Sequence, residues 1–545
     1  MPPLPTADCR APLPDALLPP RFMGQACGIS VLTQSGPLGE TALTWMASRG
    51  LGLARLICTE DEAGLSDALC LSLLAQHPET KIIAYYLEGV SDGAGLLAAI
   101  QEAARHKPVI VLTAETEGWY RQGADQETRR RMPSPEVFNA ACDRMGALRA
   151  SHLQEWLDTM LTLARTPLPA GNRVALIATG TTPANLTLKA LGDHGLHTAT
   201  VMDPGWSAGP AGLRAAVATA AANPDTDALL MVVTLPMPGP LDPAALLCPV
   251  VALKKPVCAV LLGGEAAQSG LRALDQAGIA GFPTPERAAA AMALLEARGA
   301  ASRCQPRVIT PLPVDRAGAE ERIRLALHTG QRHLTDFEAR PILAAYGIAV
   351  PAGERVASAD AALEAATRLG YPVALHLLSP DSRQARGLIT RYPRLTSPAE
   401  LRDACDLLTL RFARRVPAGR MDGLFVEQAI AQKELLLMGM QRDEQFGPLL
   451  HVESADPGSL RDARRQLAPI TAGEAMAMLA AGCPETRQDA WPALAEILQR
   501  LGQLACDFPE IARIMITPLV VRPGGLAPVA TECSMLLAPP RGPCG

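Results

Sequence analysis

Two short stretches carry residue types and spacings suited to handling charge. At 126–142 the chain reads "QETRRRMPSPEVFNAAC", with Glu127 beside the arginine run 129–131 and an amphipathic helical pattern behind it. At 31–43 it reads "VLTQSGPLGETAL", an apolar run that breaks at Thr33, Gln34, Ser35 and Gly36 just before a second helical pattern. A strand-to-helix turn of that kind aims backbone N–H groups, aided by the helix dipole, at an anion. It is equally the composition of an ordinary tight turn. The arginine run is a solvated loop or an anion contact. No histidine, cysteine or serine stands in the first stretch as a nucleophile would. The nine histidines are His77, His106, His152, His194, His197, His328, His333, His376 and His451. The thirteen cysteines form no CxxC pair and no Cys/His metal spacing.

The elements around these stretches are set by patterning. The chain has 545 residues, too many for one core, so about three domains are expected. It is 48% hydrophobic and 19% charged, which is a globular composition, and its thiols suit a reducing cytoplasm. The net charge of −5, with no basic stripe, argues against nucleic acid as a partner. No apolar run is long enough to span a membrane, so a soluble cytoplasmic protein is expected. Residues 1–25 form a Pro-rich tail. Over 26–165, buried strands ("GISVLTQ", "LARLICT", "KIIAYYLEG", "KPVIVLTAE") alternate with helices, and over 166–300 the alternation repeats. Both patterns predict α/β domains with a doubly wound parallel sheet. Residues 301–330 suit a linker. From 331 to 540 the pattern becomes α+β, with "GLFVEQAI" and "KELLLMGMQRD" reading as a hairpin-like pair.

In this order, the units resemble the acyl-CoA synthetase (NDP-forming) or acetate–CoA ligase (ADP-forming) family, related to succinyl-CoA synthetase. "VLTQSGPLGETAL", "HPETKIIAYYLEGVSDGAGLLAAIQEAARHKPVIVL" and "GFPTPERAAAAMALLEA" carry the match to two flavodoxin-like succinyl-CoA-synthetase-type domains. "LTDFEARPILAAYGIAVPAGE", "LGYPVAL", "RDEQFGPLL" and "DFPEIARIMITPLVV" carry the match to an ATP-grasp domain. A counterpart to the family's Rossmann-type CoA-binding domain is not expected in this sequence.

The resemblance implies an ATP-phosphorylated histidine that passes its phosphoryl group to the acyl substrate, with CoA and Mg²⁺ taking part. Counting from either flank puts Glu127 at that histidine, with Glu88 as the carboxylate beside it. "ATGTTPA" at 178–184 stands at a glycine-rich phosphate turn, so Thr181 and Thr182 occupy phosphate-binding positions alongside Thr33, Ser35 and Gly36 of the first turn. His376 falls at a phosphate-contacting lysine. Glu427, Glu434 and Arg442 fall where nucleotide is read. Met515, Thr517 and Thr531 stand where the resemblance puts the Mg²⁺ ligands, with Glu532 next to the last as an alternative, so a Mg²⁺ site is in doubt. Each residue also has a structural reading: Glu88 as a strand-end carboxylate, Glu427 and Glu434 as a solvated sheet face, His376 as a packed strand residue.

The departures concentrate at the chemistry. The expectation is therefore a degenerate acyl-CoA synthetase acting as a nucleotide- or CoA-thioester-binding or regulatory module that binds ATP or ADP and CoA. Its expected partner is a separate CoA-binding or acetyltransferase subunit, in an oligomer. Two alternatives stand beside it: an active ADP-forming acyl-CoA ligase with a changed phosphoryl acceptor, and a structural interaction protein.

Overall fold

The structure is a computed structural model. It describes residues 28–59, 66–113, 134–237, 242, 246–247, 255–303, 307–379, 391–417, 419–431, 434–455, 463–522 and 525–538. The chain divides into two compact units, Met1–Pro306 and Arg307–Gly545. The Pro-rich start and Glu127 lie outside the described residues.

The first unit holds two five-stranded parallel sheets. One is built from β1 (Ile29–Thr33), β2 (Leu53–Cys58), β3 (Ile82–Leu87), β4 (Val109–Thr113) and β5 (Leu148–Ala150), in the order β2-β1-β3-β4-β5. The other uses β6 (Arg173–Ala178), β7 (His197–Met202), β8 (Ala228–Thr234), β9 (Val257–Leu262) and β10 (Ala280–Phe282), in the order β10-β9-β8-β6-β7. Their central strands are continuous apolar runs because helices cover both faces. The edge strand β7, "HTATVM", is mostly exposed and shows no such run.

The two sheets share a core on the sides that face each other, while the other face of the second sheet has its own. Helices Leu153–Arg165 and Pro285–Arg303 pack between them, so Val31, Trp156, Leu176 and Met292 belong to one apolar cluster. Charges fix the same seam. Asp158 takes two hydrogen bonds from Arg287, both 2.7 Å, and Asp275 bridges Arg49 (2.8 Å) and Arg165 (2.6 Å).

The second unit opens with helix Arg316–His328, inside the stretch expected to be a linker. The sequence "RAGAEERIRLALH" buries only the small or single apolar residues Ala319, Ile323 and Ala326. So narrow a stripe reads as polar, yet it docks on the core. The strands are β11 (His333–Leu334), β12 (Gly353–Val356), β13 (Val373–Leu378), β14 (Arg391–Leu395), β15 (Gly423–Gln428) and β16 (Glu434–Asp443). They continue with β17 (Gly447–Ser454), β18 (Arg464–Leu467), β19 (Ile511–Val521), β20 (Val529–Ala530) and β21 (Cys533–Leu537). A four-stranded sheet runs β12-β15-β13-β14, and a seven-stranded one β11-β21-β19-β16-β17-β18, with β20 on β19.

The expected hairpin between "GLFVEQAI" and "KELLLMGMQRD" does not form. β15 pairs with β12 and β13, whereas β16 pairs with β17 and β19. The short connection between β15 and β16 passes from one sheet to the other. Sequence proximity and alternation alone cannot distinguish such a crossing from a turn.

Candidate functional site

The site in the second unit starts from a helix end. Thr335 caps helix Asp336–Ala345 in a reciprocal capping box, its N–H donating to Glu338 at 2.8 Å. That fixes Asp336 and Arg340, one turn apart, on the same side. Arg340 donates from Nε to Asp336 Oδ1 at 3.0 Å and from Nη2 to Asp336 Oδ2 at 2.5 Å. Nη2 also donates to the Thr531 carbonyl at 2.6 Å. Nη1 pairs with Glu427 Oε2. Antiparallel register opposes Ala374 to Glu427 and His376 to Phe425, so Glu427 and His376 are diagonal neighbours on one face. His376 Nε2 lies 2.7 Å from the other Glu427 oxygen. Phe337 and Phe425 close over the guanidinium, 5.1 Å and 5.7 Å from its centre.

Glu427 is only 1% exposed. Burial alone would raise its carboxyl, but His376 and Arg340 hold it below the usual carboxylate range. Arg340 is buried too, and Asp336 and Glu427 outweigh that burial to raise its guanidinium above the ordinary value. The cluster is thus internally paired, and both Glu427 oxygens are engaged by protein groups.

The other nucleotide-site expectations do not converge on it. Glu434 accepts the Arg487 backbone N–H at 3.0 Å. Arg442 serves the end of helix Trp491–Asp507, donating to the carbonyls of Ala505, Phe508 (3.2 Å) and Ile511 (3.0 Å). These two residues stand eight positions apart on β16, about 26 Å at a strand's rise per residue, too far to share one phosphate group.

The positions that the resemblance gives to Mg²⁺ offer no carboxylate. Met515 and Thr517 lie on β19, and the Thr531 hydroxyl donates to the Pro518 carbonyl at 3.1 Å. The adjacent Glu532 is paired with Arg391. Mg²⁺ requires hard oxygen ligands, so these side chains do not fit it. Among the described residues no group of three His, Cys, Asp or Glu side chains is placed to hold a metal.

In the first unit, Thr33, Ser35 and Gly36 do form a turn ahead of helix Gly36–Ser48, with Ser35 at its N-cap. The Thr33 hydroxyl is closed within the turn. It donates to the Ser35 carbonyl at 2.8 Å and accepts the Ser35 N–H at 3.0 Å. Gln34 does more than the sequence reading assigned it. Its carbonyl accepts the N–H groups of Glu88 (2.7 Å) and Gly89 (2.9 Å), and its amide donates to Gly89 O and to Asp67. Asp67 also accepts from Thr59 (2.7 Å) and the buried Tyr85 hydroxyl (2.8 Å). Gln34 thereby draws the ends of β1 and β3 together and places Glu88 beside the turn, with its side chain exposed.

At the second turn, Gly180 holds φ +107°, a conformation that favours glycine, ahead of helix Thr181–Asp193. Thr181 and Thr182 open that helix and are exposed. Asp203, 23 positions on, accepts the Gly180 N–H at 3.1 Å and the Gly205 N–H at 2.8 Å. A protein carboxylate therefore occupies part of the turn where the resemblance puts a phosphate. No sequence signal tied Asp203 to that turn.

Comparison with known proteins agrees with this architecture. Residues 26–163 match the model of the succinyl-CoA ligase like flavodoxin domain, and residues 325–537 that of an ATP-grasp domain. The chain is 27% identical to acetate–CoA ligase [ADP-forming] I of Archaeoglobus fulgidus, over 92% of this chain and 77% of that one. The alpha and beta subunits of acetate–CoA ligase [ADP-forming] I of Pyrococcus furiosus are separate chains, 27% and 26% identical to this one. The alpha match covers 49% of this chain and 63% of the subunit, and the beta match 38% and 93%. A solved Ca. Korarchaeum cryptofilum dinucleotide forming acetyl-coenzyme A synthetase 1, in complex with phosphate and ADP, is 24% identical. It covers 50% of this chain and 65% of that one, with a TM-score of 0.47.

Proposed function

We propose that this member of the NDP-forming acyl-CoA synthetase family is a nucleotide- or CoA-thioester-binding regulatory module that no longer carries phosphoryl groups. The observation that carries the reading is the burial and internal pairing of Glu427. The carboxylate is only 1% exposed, and its two oxygens are engaged by Arg340 and His376. Three further features support it: the carboxylate-free Met515, Thr517 and Thr531, the Asp203 carboxylate at the second turn, and glutamate rather than histidine at position 127. Phosphoryl relay needs an imidazole nucleophile, an anion cradle and a metal-neutralised nucleotide, and each of the three is altered. Separate alpha and beta chains in a related ligase are in keeping with an oligomer, and the partner in this reading is a CoA-binding or acetyltransferase subunit in the cytoplasm. No helix among the described residues is long and apolar enough to cross a membrane.

The test incubates the purified chain with γ-labelled ATP and Mg²⁺. No acid-labile phosphoramidate and no hydroxylamine-sensitive acyl phosphate is expected, while ADP, ATP or CoA raises the melting temperature by mass action. A labelled protein would refute the reading. It would favour an active ligase catalysing acyl-CoA + ADP + phosphate ⇌ acid + CoA + ATP, an alternative kept by the match to an ADP-forming ligase over 92% of this chain.

A further inference from the structure

Helix Pro398–Arg415 lays Leu401, Ala404, Cys405, Leu408 and Phe412 onto the four-stranded sheet. At 3.6 residues per turn, Asp403, Leu407, Leu410 and Arg414 then form a stripe down its outward side. Their spacing is that of a coiled-coil seam. All four are exposed, Leu407 at 41% and Leu410 at 49%. A single exposed leucine is ordinary. Two of them one turn apart, framed by charges, make an apolar centre.

The charges along this helix are sorted. Glu400, Asp403 and Asp406 precede the leucines, and Arg411, Arg414 and Arg415 follow them. The helix dipole accounts for Glu400 in the first turn and for Arg414 and Arg415 in the last, but not for Asp403, Asp406 and Arg411. Ion pairs within a helix join residues three or four apart, and Asp403, Arg411 and Arg414 have no opposite charge at those spacings. Asp406 has Arg402, which bonds Asp360 at 2.6 Å instead. Arg411 donates to the neutral Tyr392 hydroxyl at 3.3 Å. Among the described residues, Asp403 and Arg414 have no ion-pair partner.

This pattern is complementary to itself. When two copies lie antiparallel about a two-fold axis level with the Leu408–Thr409 peptide, Leu407 meets the partner's Leu410 and Asp403 meets the partner's Arg414. The symmetry forms each pair twice and lays the acidic half of one helix along the basic half of the other. A parallel pair would set like charge against like.

We propose that the chain self-associates through the outward side of helix Pro398–Arg415, paired antiparallel with the same helix of a second copy. One helix side is a small interface, so the dimer forms and dissociates with concentration. The proposal goes beyond the reading of the chain as a binding module and needs no ligand.

Sedimentation velocity of the full chain over a concentration series tests it. The parent should shift from monomer to dimer. Asp403→Arg and Arg414→Asp should each weaken the dimer by about ten-fold, because either reversal sets like charges together at both symmetric places. Mixed in equal amounts, the two variants should recover it, since each altered side chain then meets its opposite. Leu410→Gln should weaken it as well. Circular dichroism and melting, recorded where the parent is monomeric, should match the parent in every case. A chain that stays monomeric throughout, a dimer that both reversals leave intact, or a loss that mixing does not repair overturns the proposal. None of these outcomes touches the ATP labelling or the ligand-induced melting shifts, so the module reading is judged separately.

Discussion

Replacing Glu427 by glutamine keeps the shape of the side chain and removes the charge that Arg340 and His376 share. Breaking a buried ion pair by removing one partner costs about 3–5 kcal/mol, because the other charge stays desolvated. Arg340 would keep both hydrogen bonds to Asp336 and the one to the Thr531 carbonyl. The loss should therefore fall at the low end, about 3 kcal/mol. The unit runs from Arg307 to Gly545, or 545 − 307 + 1 = 239 residues. At that size each kcal/mol moves the midpoint by about 2–4 °C, so Glu427→Gln should lower it by roughly 6–12 °C. Scanning calorimetry of the full chain reads this directly. The transition of the second unit should shift while that of the first stays in place, and the increment added by ADP should be the same in parent and variant. A variant that melts with the parent but loses its ADP increment would show Glu427 to be a nucleotide ligand, and the argument from its burial and pairing would fail.

Three further outcomes follow from the same physics. The His451 imidazole is held to about 4, so below its ordinary value of about 6.5 the unfolded chain takes up a proton that the folded chain refuses. Folded stability should therefore fall between pH 6.5 and pH 5 by about 2 kcal/mol from this group, and His451→Gln should flatten the slope in pH-dependent urea unfolding. An unaltered slope counts against the burial of that ring. Asp275→Asn would leave Arg49 and Arg165 facing each other without their shared carboxylate, at a cost of about 3 kcal/mol, read as an earlier urea midpoint by tryptophan fluorescence of the first unit. A midpoint that does not move would mean that the seam is held by its apolar contacts alone. Titration with Mn²⁺ followed by paramagnetic resonance should leave the ion free, since Met515, Thr517 and Thr531 give it no carboxylate; stoichiometric binding would contradict that donor set.

The doubly wound half was readable because buried parallel strands announce themselves as apolar runs, as "KIIAYYLEG" and "KPVIVLTAE" do. What escaped depends on partners distant in sequence. β7 is an exposed edge, helix Arg316–His328 hides a narrow stripe of small residues, and the step from β15 to β16 looks like a turn until the sheets are seen. The candidate site shows the same division. Its members at 376 and 427 could be located by resemblance. Arg340, which pairs with Glu427, reads as an ordinary charge on an amphipathic helix, and Asp203 gives no local hint of the turn it fills.

Arg340–Glu427 and Arg391–Glu532 both cross from the four-stranded sheet to the elements around β21. They act like two rivets across a hinge. Any clamshell breathing of these sheets must part a pair sealed from water, whereas a ligand settling on the rim need not move them at all. Amide exchange along β13 and β15 should accordingly proceed at the pace of global unfolding. The two sheets are braced against each other by these pairs.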